Sequence, residues 1–186
     1  MESLLIILAI LLGLPLIWGI LIYNRFTRIE QHRKESWADI DVELKRRYDL
    51  IPNLVAAVKG YASHERETLE AVIELRNKAR ANTGSAAEQA VDESALMIGM
   101  QRLFAISEDY PELKASENFL ALQKELANTE DRIAASRRFF NANVREWNQL
   151  CKMFPTNMIA RIYKFTPHGY FELESAAERV VPRVEL

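Results

Sequence analysis

Cysteine is almost missing from this sequence: Cys151 stands alone among 186 residues. A single thiol excludes an intrachain disulfide, a CxxC redox pair and a zinc knuckle, and none lies near the N-terminus to carry a lipid. Glycine is scarce too, with six in all, and no Walker loop, GxGxxG or GxSxG pattern occurs. No stretch is therefore fit to cradle a phosphate or to present a nucleophilic serine. HExxH is absent, and His32, His64 and His168 share no ligand spacing, so neither a metal nor another cofactor is expected. Neither sign of charge prevails, because 24 basic and 26 acidic side chains leave a formal net charge of −2. Without a basic face, binding to nucleic acid is not expected.

What is present is apolar and unevenly spread, 49% of the chain in all. The stretch "SLLIILAILLGLPLIWGILIYN", Ser3 to Asn24, is uncharged over about 22 residues, which as a helix gives about 33 Å against a hydrocarbon core of about 30 Å. Trp18 and Tyr23 lie toward one end, at headgroup level. A cleaved signal would need a basic leader, a shorter apolar core and a small-x-small site, and none of these occurs. Arg25, Arg28, Arg33 and Lys34 all follow the span, and no Lys or Arg precedes it. The positive-inside bias then places the N-terminus outside and the rest in the cytoplasm. Interleaved acids limit what these cations contribute at anionic lipid.

Beyond the anchor, Trp37, Ile40, Leu44, Tyr48, Ile51, Val55, Val58 and Ala62 recur in steps of three and four, one face of a helix. Pro52 falls just off this face. It removes the donor for the Tyr48 carbonyl, which leaves two outcomes: a kink at Pro52 with Asn53 or water serving that carbonyl, or a break with Asp49 capping a new helix from about Leu50. A longer stripe runs Phe119, Leu122, Leu126, Thr129, Ile133, Ser136, Phe140, Val144, Trp147, Cys151 and Phe154. Between the two, a turn at 82–85 precedes a middle helix with Val91, Leu96, Met100, Leu103 and Ile106 on its apolar side, closed by Pro111. "TNMIARIYKF" reads as a short helix capped by Thr156, and "VVPRVEL" as a short extended C-terminal tail. The fold expected is all-α: a transmembrane anchor over residues 1–24, then an antiparallel bundle of long helices as a cytoplasmic domain over 25–186.

The stretches "DVELKRRYDLIPNLVAAVKGYASHE", "YPELKASENFLALQKELANTEDRIAASRRFFNANV" and "FPTNMIARIYKFTPHGYFE" resemble the LemA family of bacterial membrane proteins, in the same order and over nearly all of the chain beyond the anchor. The resemblance implies a membrane-anchored helical bundle, and a magnetosome-associated branch of the family implies a part in membrane organisation. Trp147, Asn148 and Cys151 depart from what the resemblance leads one to expect.

The charged cluster Asp39, Asp41, Glu43, Lys45, Arg46, Arg47 and Asp49 offers acids and bases, but Asp41 to Lys45 and Glu43 to Arg47 are i,i+4 pairs suited to a self-paired, solvated face. Arg46, Arg47 and Asp49 then form a candidate interaction face. His64, beside Glu65 and Glu67, reads as a surface side chain, and Cys151 as packing. Phe139, Phe140, Trp147 and Phe154 read mostly as core. Met158, Ile159, Ile162, Tyr163 and Phe165 either close the bundle or touch membrane or another subunit. The expected function is non-enzymatic: a single-pass scaffold of the bacterial inner membrane whose partners are the bilayer and copies of itself or other membrane proteins. An adaptor regulating a membrane enzyme, protease or signalling complex is the alternative.

Overall fold

A computed structural model describes residues 1–173, and the expected extended tail lies outside them. Every regular element among the described residues is a helix: α1 Glu2–Lys59, α2 Arg66–Ala81, α3 Ala86–Glu108, α4 Pro111–Lys114, α5 Glu117–Lys152 and α6 Thr156–Ile162. The all-α bundle behind a long apolar N-terminal helix is thus the observed class. Two compact units make it up, Met1–Trp37 with Arg138–His168, and Ala38–Arg137 with residues 169–173. The first unit holds the apolar anchor together with the C-terminal part of α5 and α6.

In the second unit both sequence stripes turn inward. Ile40, Leu44, Ile51 and Val58 of α1 are buried, with Leu54 inward where the stripe had the half-buried Val55, as are Phe119, Leu126 and Ile133 of α5. Each such side chain contributes about 1.5–3 kcal/mol by leaving water. α1 runs without a break through Pro52, which rules out a new helix starting at Leu50. α2 was not resolved by the sequence patterns; it buries Leu69 and Val72. It packs closely on α3, since a Cβ at Gly99 would stand 2.8 Å from Leu75 Cδ1. α3 starts at a capping box, in which Ser85 accepts from the Glu88 amide while the Glu88 carboxylate accepts from Ser85 N–H.

α3 departs from the expected apolar stripe. Leu96, Met100 and Leu103 are buried, but Val91 is exposed and the inward positions near it are Gln89, Asp92, Glu93 and Ser94. Pro111 does not merely end a helix; it opens the short α4 at a position where its missing N–H costs nothing.

In the first unit Phe26 and Ile29 of α1 pack with Trp147 and Leu150 of α5 and Ile159 and Ala160 of α6. The Phe26 and Trp147 rings meet edge to face at 5.1 Å. α5 stops at Lys152, so Phe154 lies beyond it, 79% exposed, and Phe139 is 71% exposed on its outer side. Both were expected in the core. Thr156 does not cap α6 either: its hydroxyl donates to the carbonyls of Leu150 and Met153, at 2.7 and 2.9 Å, and so closes the end of α5.

Candidate functional site

Two sets of residues carry the functional expectations, one in each unit. Around the anchor, Trp18 and Ile22 pack on the Phe26 cluster, and Tyr23 lies against Tyr163 and Phe165 at ring distances of 4.6 and 6.2 Å. Phe165 reaches this place because α6 ends in a Schellman turn. Lys164 takes a left-handed φ of 57°, and Phe165 N–H donates back to the Ala160 carbonyl at 2.9 Å. The following residues are then fixed on α5. Trp147 Nε1 donates to the Thr166 carbonyl at 2.7 Å, while the Asn148 amide both donates to the His168 carbonyl and accepts its N–H, at 2.9 and 2.8 Å. Trp147 and Asn148 thus hold the chain that follows α6, and Cys151 is half-buried beside the Phe165 carbonyl.

The cations that follow the span are mostly paired. Arg25 bonds Glu146 at 2.8 Å, Arg33 grips Glu30 with two bonds of 2.8 and 2.7 Å, and Lys34 stands 3.8 Å from the same Glu30. Arg28 is exposed. Glu30 also accepts from His168 Nε2 at 3.2 Å, a contact that no sequence spacing announces. The Arg33 hydrogen bonds hold the Glu30 carboxyl below its ordinary value. Burial, helped by the Arg33 charge and opposed by Glu30, holds the His168 imidazole below its own. The imidazole is therefore neutral near pH 7, with the Nε2 tautomer donating to Glu30.

In the second unit the expected interaction face divides. Arg46 and Asp49 are exposed, and with Val42, Lys45, Leu50, Asn53 and Glu125 they line an open groove. Arg47 turns inward, 1% exposed, and does not pair with Glu43. Its guanidinium donates to Glu93, itself 0% exposed, and to Glu130 at 2.7 Å. Tyr48 donates to the other Glu93 oxygen, which also accepts from Gln89 at 2.8 Å. Burial and the adjoining Glu93 charge push the Tyr48 hydroxyl far above its ordinary value, so it stays a donor. The helical period itself turns Arg47 inward, three positions after Leu44 and four before Ile51, both buried; what no spacing on α1 shows is its partner, Glu93 on α3. His64 lies exposed in the turn between α1 and α2.

Pro52 and Asn53 also find their account here. A donor in place of the missing Pro52 N–H comes from α2: Arg76 Nε reaches the Tyr48 carbonyl at 2.9 Å. Of the C-terminal apolar residues, Ile159 is buried and Phe165 partly so, while Met158, Ile162 and Tyr163 are exposed.

The class is an all-helical bundle behind an N-terminal helix that is long and apolar enough to cross a membrane. Residues 36–186 match the LemA family, and the chain belongs to it. It is 24% identical over 181 residues to the magnetosome protein MamQ of Magnetospirillum gryphiswaldense, covering 84% of this chain and 66% of that one. A MamQ protein of Paramagnetospirillum magneticum shows the same identity and coverage. Protein LemA of Metamycoplasma hominis is 26% identical over 139 residues, 74% of this chain and 63% of its own. The chain thus spans about two thirds of the length of these relatives.

Proposed function

We propose that the protein is a non-enzymatic membrane scaffold that associates with copies of itself and organises membrane or membrane complexes. The observation that carries this reading is the division of its surface chemistry. Charged groups that would suit an active site are engaged in pairing: Arg47 with Glu93 and Glu130, Arg33 and His168 with Glu30, Lys78 with Asp92. Apolar side chains also face outward on the helices, among them Val42, Val91, Leu120 and Phe139, and offer contact area to a second molecule. The likeness to proteins named for the magnetosome is in keeping with a role at a membrane.

Light scattering on the full chain in mild detergent, beside a fragment starting at Arg25, tests this. A defined homo-oligomer of the full chain is expected; a monomer in both samples sinks self-association. The proposed location is the bacterial inner membrane, with the N-terminus outside and the helical domain in the cytoplasm, by the charge asymmetry about the span. Reporters fused at each end read that orientation, and the opposite pattern reverses it.

The groove lined by Arg46, Asp49 and Asn53 favours a second reading, an adaptor that docks a membrane enzyme or signalling protein. Arg46→Glu with Asp49→Lys is then expected to abolish recovery of a partner while leaving the helical content intact. Unchanged recovery removes that reading.

A further inference from the structure

The anchor is not bare along its whole apolar length. Its large apolar side chains from Leu4 to Ile17 are exposed, and a Cβ at Gly13 would meet nothing within 4 Å. From Trp18 onward α6 covers one side of the helix: a Cβ at Gly19 would lie 3.7 Å from Ile159 Cδ1, and Tyr23 lies against Tyr163. The bare part, Ser3 to Ile17, is about 15 residues and spans about 23 Å, too short for a hydrocarbon core of about 30 Å. Only by including the covered part does the span reach about 33 Å. The bilayer must then extend to the level of α6, which sits opposite Gly19, about 9 Å before the first charge at Arg25.

The outward side of α6 suits that depth. Met153 and Phe154 in the turn before it, Met158 and Ile162 on the helix and Tyr163 at its end are all exposed, and Ile159 faces the anchor cluster. The cations beside them, Lys152, Arg161 and Lys164, are exposed on stems long enough to reach phosphates while the apolar side chains enter the acyl region.

We propose that α6 and the turn before it form a second membrane element, an interfacial helix set among the acyl chains beside the domain-side end of the anchor. The occupant of its apolar face is lipid. This rests on the membrane-anchor reading, because depth is measured along the anchor. The element would fix how far the anchor sinks and how it rotates, since side chains on one flank of α1 cannot turn away from it.

The test uses the native full chain in nanodiscs of phosphatidylcholine and phosphatidylglycerol containing a phospholipid with a diazirine in its acyl chain. After irradiation, peptides are mapped for lipid adducts. Adducts are expected both on residues 3–22 and on residues 153–163, with adducts on α2 and α3 at least tenfold fewer. Adducts on the anchor alone overturn the interfacial helix and leave the anchor standing. No adducts on either peptide overturn both. A parallel sample treated with an amine-reactive cross-linker reads the other occupant: a 153–163 peptide free of lipid, with the flanking Lys152 or Lys164 joined to a second copy, assigns the face to an interface between copies and overturns the proposal.

Discussion

Arg76 Nε donates a 2.9 Å hydrogen bond to the backbone carbonyl of Tyr48, the carbonyl that Pro52 cannot serve within its own helix. A residue on α2 thus completes α1 across a sequence distance that no local pattern spans. Arg76→Met leaves this carbonyl without its donor and is expected to cost about 1–3 kcal/mol. In a Pro52→Ala background the helix regains its own N–H, so the same substitution should cost less than about 1 kcal/mol. Denaturant unfolding of the four proteins of the cycle, followed by circular dichroism in one detergent, measures the coupling. Equal losses in both backgrounds would mean that Arg76 acts through something other than the proline gap.

Arg47 and Glu93 make the most buried ion pair of the second unit, with Tyr48 and Gln89 completing the Glu93 shell. Arg47→Met leaves Glu93 buried without its cation and is expected to cost about 3–5 kcal/mol. Adding Glu93→Leu removes the stranded charge and should recover a good part of that loss. The same unfolding assay decides: if the double variant is as unstable as the sum of the two singles, the pair is not the source of the cost.

How far the sequence carried can be seen in these same residues. The anchor, the stripes of α1 and α5 and the family were legible because apolar side chains at helical spacing must find a common face. The stripe of α3 misled because its inner face is partly polar: Gln89 and Glu93 are buried through partners on α1 that no window on α3 contains. Arg47 was read as solvated for the mirror reason, since Glu43 sits at the favourable i,i+4 distance and Glu93 does not. Phe154 fell on the extended stripe of α5, but the helix ends two residues earlier. The service of the Tyr48 carbonyl was posed correctly as a question by Pro52 alone; its answer required the position of α2.

Gly99 lets α3 approach α2 closely. A Cβ there would come within 2.8 Å of Leu75 Cδ1, a terminal methyl that can rotate aside, so Gly99→Ala should change stability little. Gly99→Leu has no such escape and is expected to destabilise by about 1–3 kcal/mol through overpacking. Leu75→Ala in the same chain should restore part of the loss by freeing volume opposite the new side chain. Absence of rescue would place the strain elsewhere than at the α2–α3 contact.

His168 makes the first unit sensitive to mild acid. Burial and the nearby Arg33 hold its imidazole below the ordinary histidine value of about 6.5, although Glu30 pulls the other way. Between the two values the unfolded chain binds more protons than the folded one, so stability rises with pH across that window and levels off above it. Glu30 behaves differently: its carboxyl is held below the ordinary carboxylate value, mainly by Arg33, so its contribution is present above that value and is lost only at lower pH. The first loss on acidification from pH 7.5 toward 5 should therefore come from His168. Melting temperatures of the full chain and of His168→Gln, taken every half unit in one detergent, separate the two. The wild type should lose stability through this window while the variant stays nearly flat. Parallel curves would show that protonation of this imidazole does not govern the acid response of the unit.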